Sequence, residues 1–600
     1  MKYITYSLKG VVRLMMTFEF QECLPSLPIP ELEDTKRKLL EAIEPLISEG
    51  EFHETKKVVQ QFFEENGDAR RLQEKLGIWR DNAEGSWLKP FWDDVYLTYR
   101  GPLHIGSNFN VLVENQHYAP RTVAEVAGKV GRSIAEFYHS ILAEETPPEM
   151  VRGVPLDMSQ YPNFFRTVRV PKLHRDEHYV AEPSKVENYI SLMINGNVYL
   201  IPVTNSQGII YSSKALSIVI EGILSLAEPA GPNVGIFTTA SRNEAASIYE
   251  QLLVSEVNAE SLQKVADSLV VLSIDKESMN SNEALQNLVF SGRNKYFDKT
   301  LQIVITEAGE LGYSIEHTAM DGTTIFAVIQ YVQEQLMSID QEDNKTNEQP
   351  VAKKLEWVLS AEIIEKLSVL EVKNDRTIQH YVINVQNFDA FGTDEIKRLG
   401  FSPDSFFHMA LQVAQYKTFG MMRSTYEAVS MRLFNEGRTE CIRPSSSENL
   451  ALAKAIVVEQ QEPVLIYQLM QKAGSAHSIR LKEAKKGFGV ERHLYGLQRI
   501  FETYQAELDM EKFPALFTDP GYLTMRHDFI STSNMTSPEV KSCAFGPVVE
   551  DGYGIFYVLL KDRLIINLSS YSRNEEKARL LAENLDEALK ELRGIALAVM

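Results

Sequence analysis

Short apolar runs alternating with amphipathic stretches constrain this chain most. YISLMI (189–194), NVYLIPV (197–203), VGIFTT (234–239), LVVLSI (269–274) and LQIVI (301–305) each read as strands, whereas SRNEAASIYEQLL (241–253) carries its apolar residues at helical spacing. Strands and helices in that alternation predict an α/β layered domain, because each sheet face must be covered by an apolar helix stripe. The pattern ends before MSIDQEDNKTNEQPVAKKLEW (337–357), a polar run interrupted by Pro350 that reads as a linker.

Other segments extend the reading. LPSLPIP (24–30) is an extended entry fixed by three prolines, and helices are expected over 31–48, 52–65 and 122–142. Beyond the linker, SPDSFFHMALQVAQYKTFG (402–420) and STYEAVSMRLF (424–434) read as helices. AFGPVV, GIFYVLL and RLIINLSS read as late strands, and the run from Glu575 to Leu597 as a closing helix. A chain of 600 residues exceeds the ~250–300 at which single cores stop growing, so two large domains are expected.

Charge and cysteine content narrow the function. With 61 basic and 82 acidic residues the net charge is −21, which repels nucleic acid and acidic lipid. Three cysteines, Cys23, Cys441 and Cys543, are too few and too scattered for a disulfide framework or a Cys-rich zinc site, and no metal is expected. No apolar run reaches the ~20 residues of a membrane span. A soluble, cytoplasmic monomer is the expectation. Residues 1–20 form an N-terminal extension whose first 16, with Lys2, Lys9 and Arg13 and no acid, leave organellar import as the alternative.

HRDEH (174–178) spells an inverted zinc-protease motif, but Pro171 and Pro183 bracket it and no apolar stripe supports a helix, so a solvated charged loop is expected. There is no G-x-S-x-G elbow. GFGVERH (487–493) and VEDGYG (549–554) lack phosphate-cradling spacing and read as loops. His317, in YSIEHTAMDG (313–322), follows a strand and precedes a small-residue turn. Its candidate companions are the hydroxyl cluster ISTSN (530–534), Tyr426 and GRTECIR (437–443), a set suited to general-base chemistry with an oxyanion donor.

LPSLPIP, LDMSQY (156–161), RNKYFDKTLQ, EHTAMDG, YEAVSMRLFNEGRTECIR, ERHLYGL, ISTSN and FGPVVEDGYGIFY occur in the order they take in the carnitine/choline acyltransferases, and from about residue 24 to 595 the chain resembles that family. The resemblance implies two similar chloramphenicol-acetyltransferase-like α/β domains with an active-site tunnel between them: 78–359 carrying the histidine, and 21–77 with 360–600 as the other. It implies reversible transfer of an acyl group between coenzyme A and the carnitine hydroxyl, with His317 as general base, Ser533 as oxyanion donor and no acyl-enzyme. Acyl-CoA is a co-substrate, carnitine the other small-molecule partner, and no cofactor is permanently bound.

By the same resemblance Arg492, Tyr426 and Thr439 meet the carnitine carboxylate, Tyr96, Ser531 and Phe545 line its trimethylammonium end, and Asp321 pairs with Arg438 to hold the catalytic loop. Arg492 favours carnitine over choline, which has no carboxylate. Coenzyme A contacts fall on Lys397 and Asp404, and on Thr393 and Asn534 where relatives carry lysine and glutamine. Cys543 stands where short-chain members have methionine and longer-chain members glycine, which implies a short-to-medium acyl group. The alternatives are a catalytically idle binder of coenzyme A or carnitine, and a choline acyltransferase.

Overall fold

The computed structural model describes residues 7–8, 11–12, 16–114, 121–226, 228–275, 281–307, 309–338, 348–535 and 537–600. The chain divides into two units. One contains 1–24, 93–380 and 538–546, the other 25–92, 381–537 and 547–600.

The first unit is built on an eight-stranded mixed sheet in the order Lys353–Lys354, Asn197–Pro202, Tyr189–Ile194, Val271–Asp275, Leu301–Thr306, Leu311–Ile315, Phe109–Val113, Val540–Phe545. Tyr189–Ile194, Val271–Asp275 and Leu301–Thr306 run parallel, and the other pairings are antiparallel. Register aligns Leu192, Leu272, Ile303, Tyr313, Val111 and Cys543 in one row across six strands, each at 0% exposure. A continuous apolar row of this kind requires a helix cover. Helix Val123–Leu142, started by a Thr122/Glu125 capping box, lies over this face, where Gly131 leaves room for Ile190; it packs against Ser213–Ser225 and Gly322–Met337.

The second unit has a six-stranded mixed sheet in the order Tyr381–Phe388, Leu564–Tyr571, Tyr553–Leu559, Ile530–Met535, Thr425–Ser430, Thr439–Ile442. Here too three neighbouring strands, Tyr553–Leu559, Ile530–Met535 and Thr425–Ser430, are parallel. Helix Pro403–Phe419 packs against Glu575–Val599, Ser447–Val457 and Pro463–Lys485. The fold is α/β in both units, and among the described residues no helix is long and apolar enough to cross a membrane.

The boundaries differ from those expected. Residues 360–380 belong to the first unit, because Ile363, Leu367 and Leu370 on helix Ala361–Ile378 join its core. Strand Val540–Phe545 also belongs there, paired to Phe109–Val113, while 78–92 lie in the second unit. Of the expected linker, 339–347 lie outside the described residues, and Lys353–Lys354 forms an edge strand on Asn197–Pro202. Of the N-terminal extension, 1–6, 9–10 and 13–15 lie outside them; Thr17 is buried, its hydroxyl donating to the Thr146 carbonyl at 2.6 Å.

Three local expectations are corrected. VGIFTT is a 3-10 helix, Val234–Thr239, entered through left-handed Asn233. STYEAVSMRLF is not a helix: Thr425–Ser430 is a strand whose side chains alternate between buried and partly exposed, the period-2 signature its Thr, Tyr and Val favour. HRDEH is not wholly solvated. Glu177–Val180 is a strand, and Asp176 is fully buried between Arg169 and Arg242 at 2.7 Å from each.

Candidate active site

His317 sits in the connection between strand Leu311–Ile315 and helix Gly322–Met337. Its ring stacks on Tyr96 (centroids 5.1 Å, planes 23° apart) and meets the edge of Phe109 at 5.1 Å. Nδ1 is a buried nitrogen and lies 3.9 Å from Asp321 Oδ1. Asp321 is itself fixed by Gln160 of LDMSQY. The amide Nε2 donates to Asp321 Oδ2 at 2.7 Å, and Oε1 accepts from the Asp321 N–H at 2.8 Å and from the Thr324 hydroxyl at 3.0 Å. Gln160 and Phe109 were not among the residues expected from sequence; the presence of LDMSQY among the family motifs was the only signal for the first.

The residue before the histidine anchors the loop. Glu316 is fully buried, accepts from the Thr318 N–H and hydroxyl at 3.1 and 2.7 Å, and pairs with Arg169 at 3.3 Å. Arg169 continues to Asp176, which also takes Arg242 and Arg100; Arg242 forks onto both oxygens of Asp298 at 2.7 and 3.2 Å. Three arginines thus face three carboxylates, and such pairing is what makes buried charge tolerable. Burial lifts the Asp298 carboxyl to about 6, with Arg242 working against it. RNKYFDKTLQ supplies Asp298 and also Lys299, whose buried ammonium donates to the carbonyls of Val265, Ala266 and Ser268.

Phe545 and Cys543 lie in the same sheet. Phe545 is in register with Phe109, and Cys543, two residues earlier on the same face, with Val111. Their row places Cys543 about 7 Å along the strand from Phe545. The Cys543 thiol is fully buried and pushed well above its ordinary pKa by that burial, so it is no nucleophile.

In the second unit Arg492, in the first turn of helix Glu491–Tyr504, donates Nε to the Thr439 carbonyl and Nη2 to the Tyr426 hydroxyl, both at 2.9 Å. Its guanidinium lies 3.9 Å from the Trp92 ring centroid, a stacking contact sequence reading missed. Among the described residues Nη1 has no hydrogen-bond acceptor. Glu491 is clamped by Arg443 at 2.8 Å and Arg526 at 3.0 Å. Burial works to raise its carboxyl, but these arginines outweigh burial and hold it at about 2. Glu440 accepts from the N–H groups of Cys441 and Arg492, yet burial pushes it up to about 7.

Ser531 and Ser533 lie on one face of strand Ile530–Met535, with Ser531 in register with Tyr426. The structure therefore gathers Arg492, Tyr426 and Thr439, and sets the two serines on the neighbouring strand. Arg438 is buried with a left-handed backbone, φ 57°. The expected coenzyme A contacts are split. Thr393 opens helix Thr393–Arg398 and is buried, Lys397 is exposed on it, and Asp404 and Asn534 bond to each other at 3.0 Å.

Comparison with known proteins gives the class and the family. The choline/carnitine O-acyltransferase family model matches residues 27–587, and the chain belongs to that family. It is 32% identical to carnitine O-acetyltransferase of Rattus norvegicus, with 96% of this chain and 94% of that protein covered. It is 31% identical to the Homo sapiens carnitine O-acetyltransferase over the same shares. Mitochondrial carnitine O-palmitoyltransferase 2 of Bos taurus is 28% identical, covering 96% and 93%.

Proposed function

We propose that the protein transfers a short-to-medium acyl group reversibly between coenzyme A and the hydroxyl of carnitine. The observation that carries the choice of carnitine is Arg492: a buried, stacked guanidinium with two nitrogens committed and Nη1 remaining is a fixed cation for a substrate carboxylate.

His317 Nε2 takes the proton from the carnitine hydroxyl, whose oxygen attacks the thioester carbonyl; the collapsing tetrahedral species expels the coenzyme A thiolate, which recovers that proton from the imidazolium. In reverse the same nitrogen deprotonates the thiol. Ser533 donates to the oxyanion, a contribution worth several kcal/mol when the donor is held in place beforehand. Asp321, held by Gln160, keeps the catalytic loop in place with Arg438. Tyr426 and Thr439 share the carboxylate with Arg492, and Tyr96, Ser531 and Phe545 take the trimethylammonium end, where aromatic faces suit a quaternary cation. Lys397, Asn534, Asp404 and Thr393 take coenzyme A.

Cys543, smaller than methionine and larger than hydrogen, sets the depth of the acyl pocket. Each buried methylene is worth about 0.8 kcal/mol where space exists, and overpacking costs ~1–3 kcal/mol where it does not. Thiol release from acetyl-, butyryl-, octanoyl- and palmitoyl-CoA, with carnitine and with choline, tests the whole reading. Carnitine-dependent turnover best between butyryl and octanoyl is expected, moving to longer chains in Cys543→Gly and back to acetyl in Cys543→Met. Turnover with choline alone, or palmitoyl as the best substrate, overturns it.

A further inference from the structure

The second unit brings together four metal-ligating side chains, of which the proposed acyl transfer gives a role only to Asp404. Asp404 and His408 stand one helical turn apart on Pro403–Phe419, so they share a face; Glu427 comes from strand Thr425–Ser430 and His477 from helix Pro463–Lys485. His408 Nε2 lies 3.0 Å from Glu427 Oε2, His477 Nε2 lies 3.5 Å from the same oxygen, and His477 Nε2 lies 3.1 Å from Asp404 Oδ2. Donors bonded at about 2.0–2.1 Å to a tetrahedral zinc ion sit about 3.3 Å from one another. The observed separations bracket that edge length.

Charge gives a second, independent argument. Glu427 is 2% exposed, and its Oε2, aimed at both imidazoles, has no hydrogen-bond partner. Neither it nor Asp404 forms an ion pair with a lysine or arginine among the described residues, in contrast to Asp176, Glu316 and Asp298, each of which meets an arginine. A buried carboxylate so placed must take a proton or a cation. Asp404 is also oriented as a ligand, its other oxygen accepting from the Tyr557 hydroxyl at 2.7 Å and the Asn534 amide at 3.0 Å, which is the outer hydrogen bonding that positions metal-bound carboxylates.

We propose that Asp404, His408, Glu427 and His477 form a structural site for a divalent transition metal of the zinc type. The proposal goes beyond acyl transfer and does not rest on it. Two imidazoles and two carboxylates neutralise one divalent ion, and this mixed nitrogen and oxygen set suits zinc better than calcium or magnesium. The expectation of no metal rested on cysteine content, and these donors are not thiolates.

Metal content of the full-length protein, purified without a metal-affinity tag, tests this by plasma mass spectrometry. About one zinc per chain is expected, falling several-fold in His408→Gln and in His477→Gln, each checked for native circular dichroism. Chelator-treated wild type given Co²⁺ should develop the visible d–d bands of a tetrahedral site, a readout that needs no variant. Zinc retained in both folded variants overturns the assignment, as does wild-type protein that carries no zinc and shows no such bands with Co²⁺.

Discussion

Glu316 immediately precedes His317 in one unit, and Glu491 immediately precedes Arg492 in the other. Both glutamates are buried and clamped by arginines, Glu316 by Arg169 and Glu491 by Arg443 and Arg526. The side chains that follow are treated differently. His317 is located by ring packing against Tyr96 and Phe109, with 24% of its side chain exposed and Asp321 at 3.9 Å. Arg492 is tied by two hydrogen bonds and a stacked indole. A group that must gain and lose a proton needs an open nitrogen, whereas a group that only supplies charge works best when its geometry is fixed. In the proposed mechanism the same buried clamp supports a proton-transfer site in one unit and a fixed-charge site in the other.

The largest expected effect breaks the histidine side of this contrast. His317→Ala should lower kcat by ~10²–10⁴, the usual contribution of a positioned general base, while circular dichroism stays native. Turnover left above about a tenth of wild type would remove His317 from that role. Next is the arginine side. Arg492→Asn should raise the carnitine KM by an amount equivalent to about 2–5 kcal/mol and leave the acyl-CoA KM nearly unchanged. Equal changes in both constants would mean the guanidinium serves the fold and not the substrate carboxylate.

The smallest effect sharpens the contrast by testing whether the fixed charge is constant. Glu440, pushed up to about 7 by burial, faces Arg492 through its backbone and electrostatically. Because its pKa is raised, Glu440 is neutral below pH 7 and ionised above it, and the ionised form offsets part of the Arg492 charge. The carnitine KM should rise a few-fold between pH 6 and 8, by less than about 1.4 kcal/mol. Glu440→Gln should flatten that rise, and a slope unchanged in the variant would assign it to another group.

Much of this was legible in the residues. YISLMI, NVYLIPV, LVVLSI and LQIVI are strands, and 122–142 and 402–420 are helices. STYEAVSMRLF was misread because its apolar residues fit either period over so short a span, and pairing with Ile530–Met535 settled it. Asp176 looked solvated because HRDEH is charged; only the arrival of Arg169 and Arg242 from other elements makes its burial favourable. Trp92 gave no signal at all, since a tryptophan stacked on arginine has the same local sequence as one in a core.

Sequence alone determined the α/β class, the number of large units and the candidate base and anion anchor, because periodicity is local and the motif order is carried by residue identity. Tertiary structure alone decided that 538–546 and 360–380 join the first unit and that Gln160 grips Asp321 across 161 positions. It also brought Asp404, His408, Glu427 and His477 together from three elements. The physical reason is that strand pairing, charge compensation and metal-ligand geometry depend on which residues meet in space, and separation along the chain does not encode that.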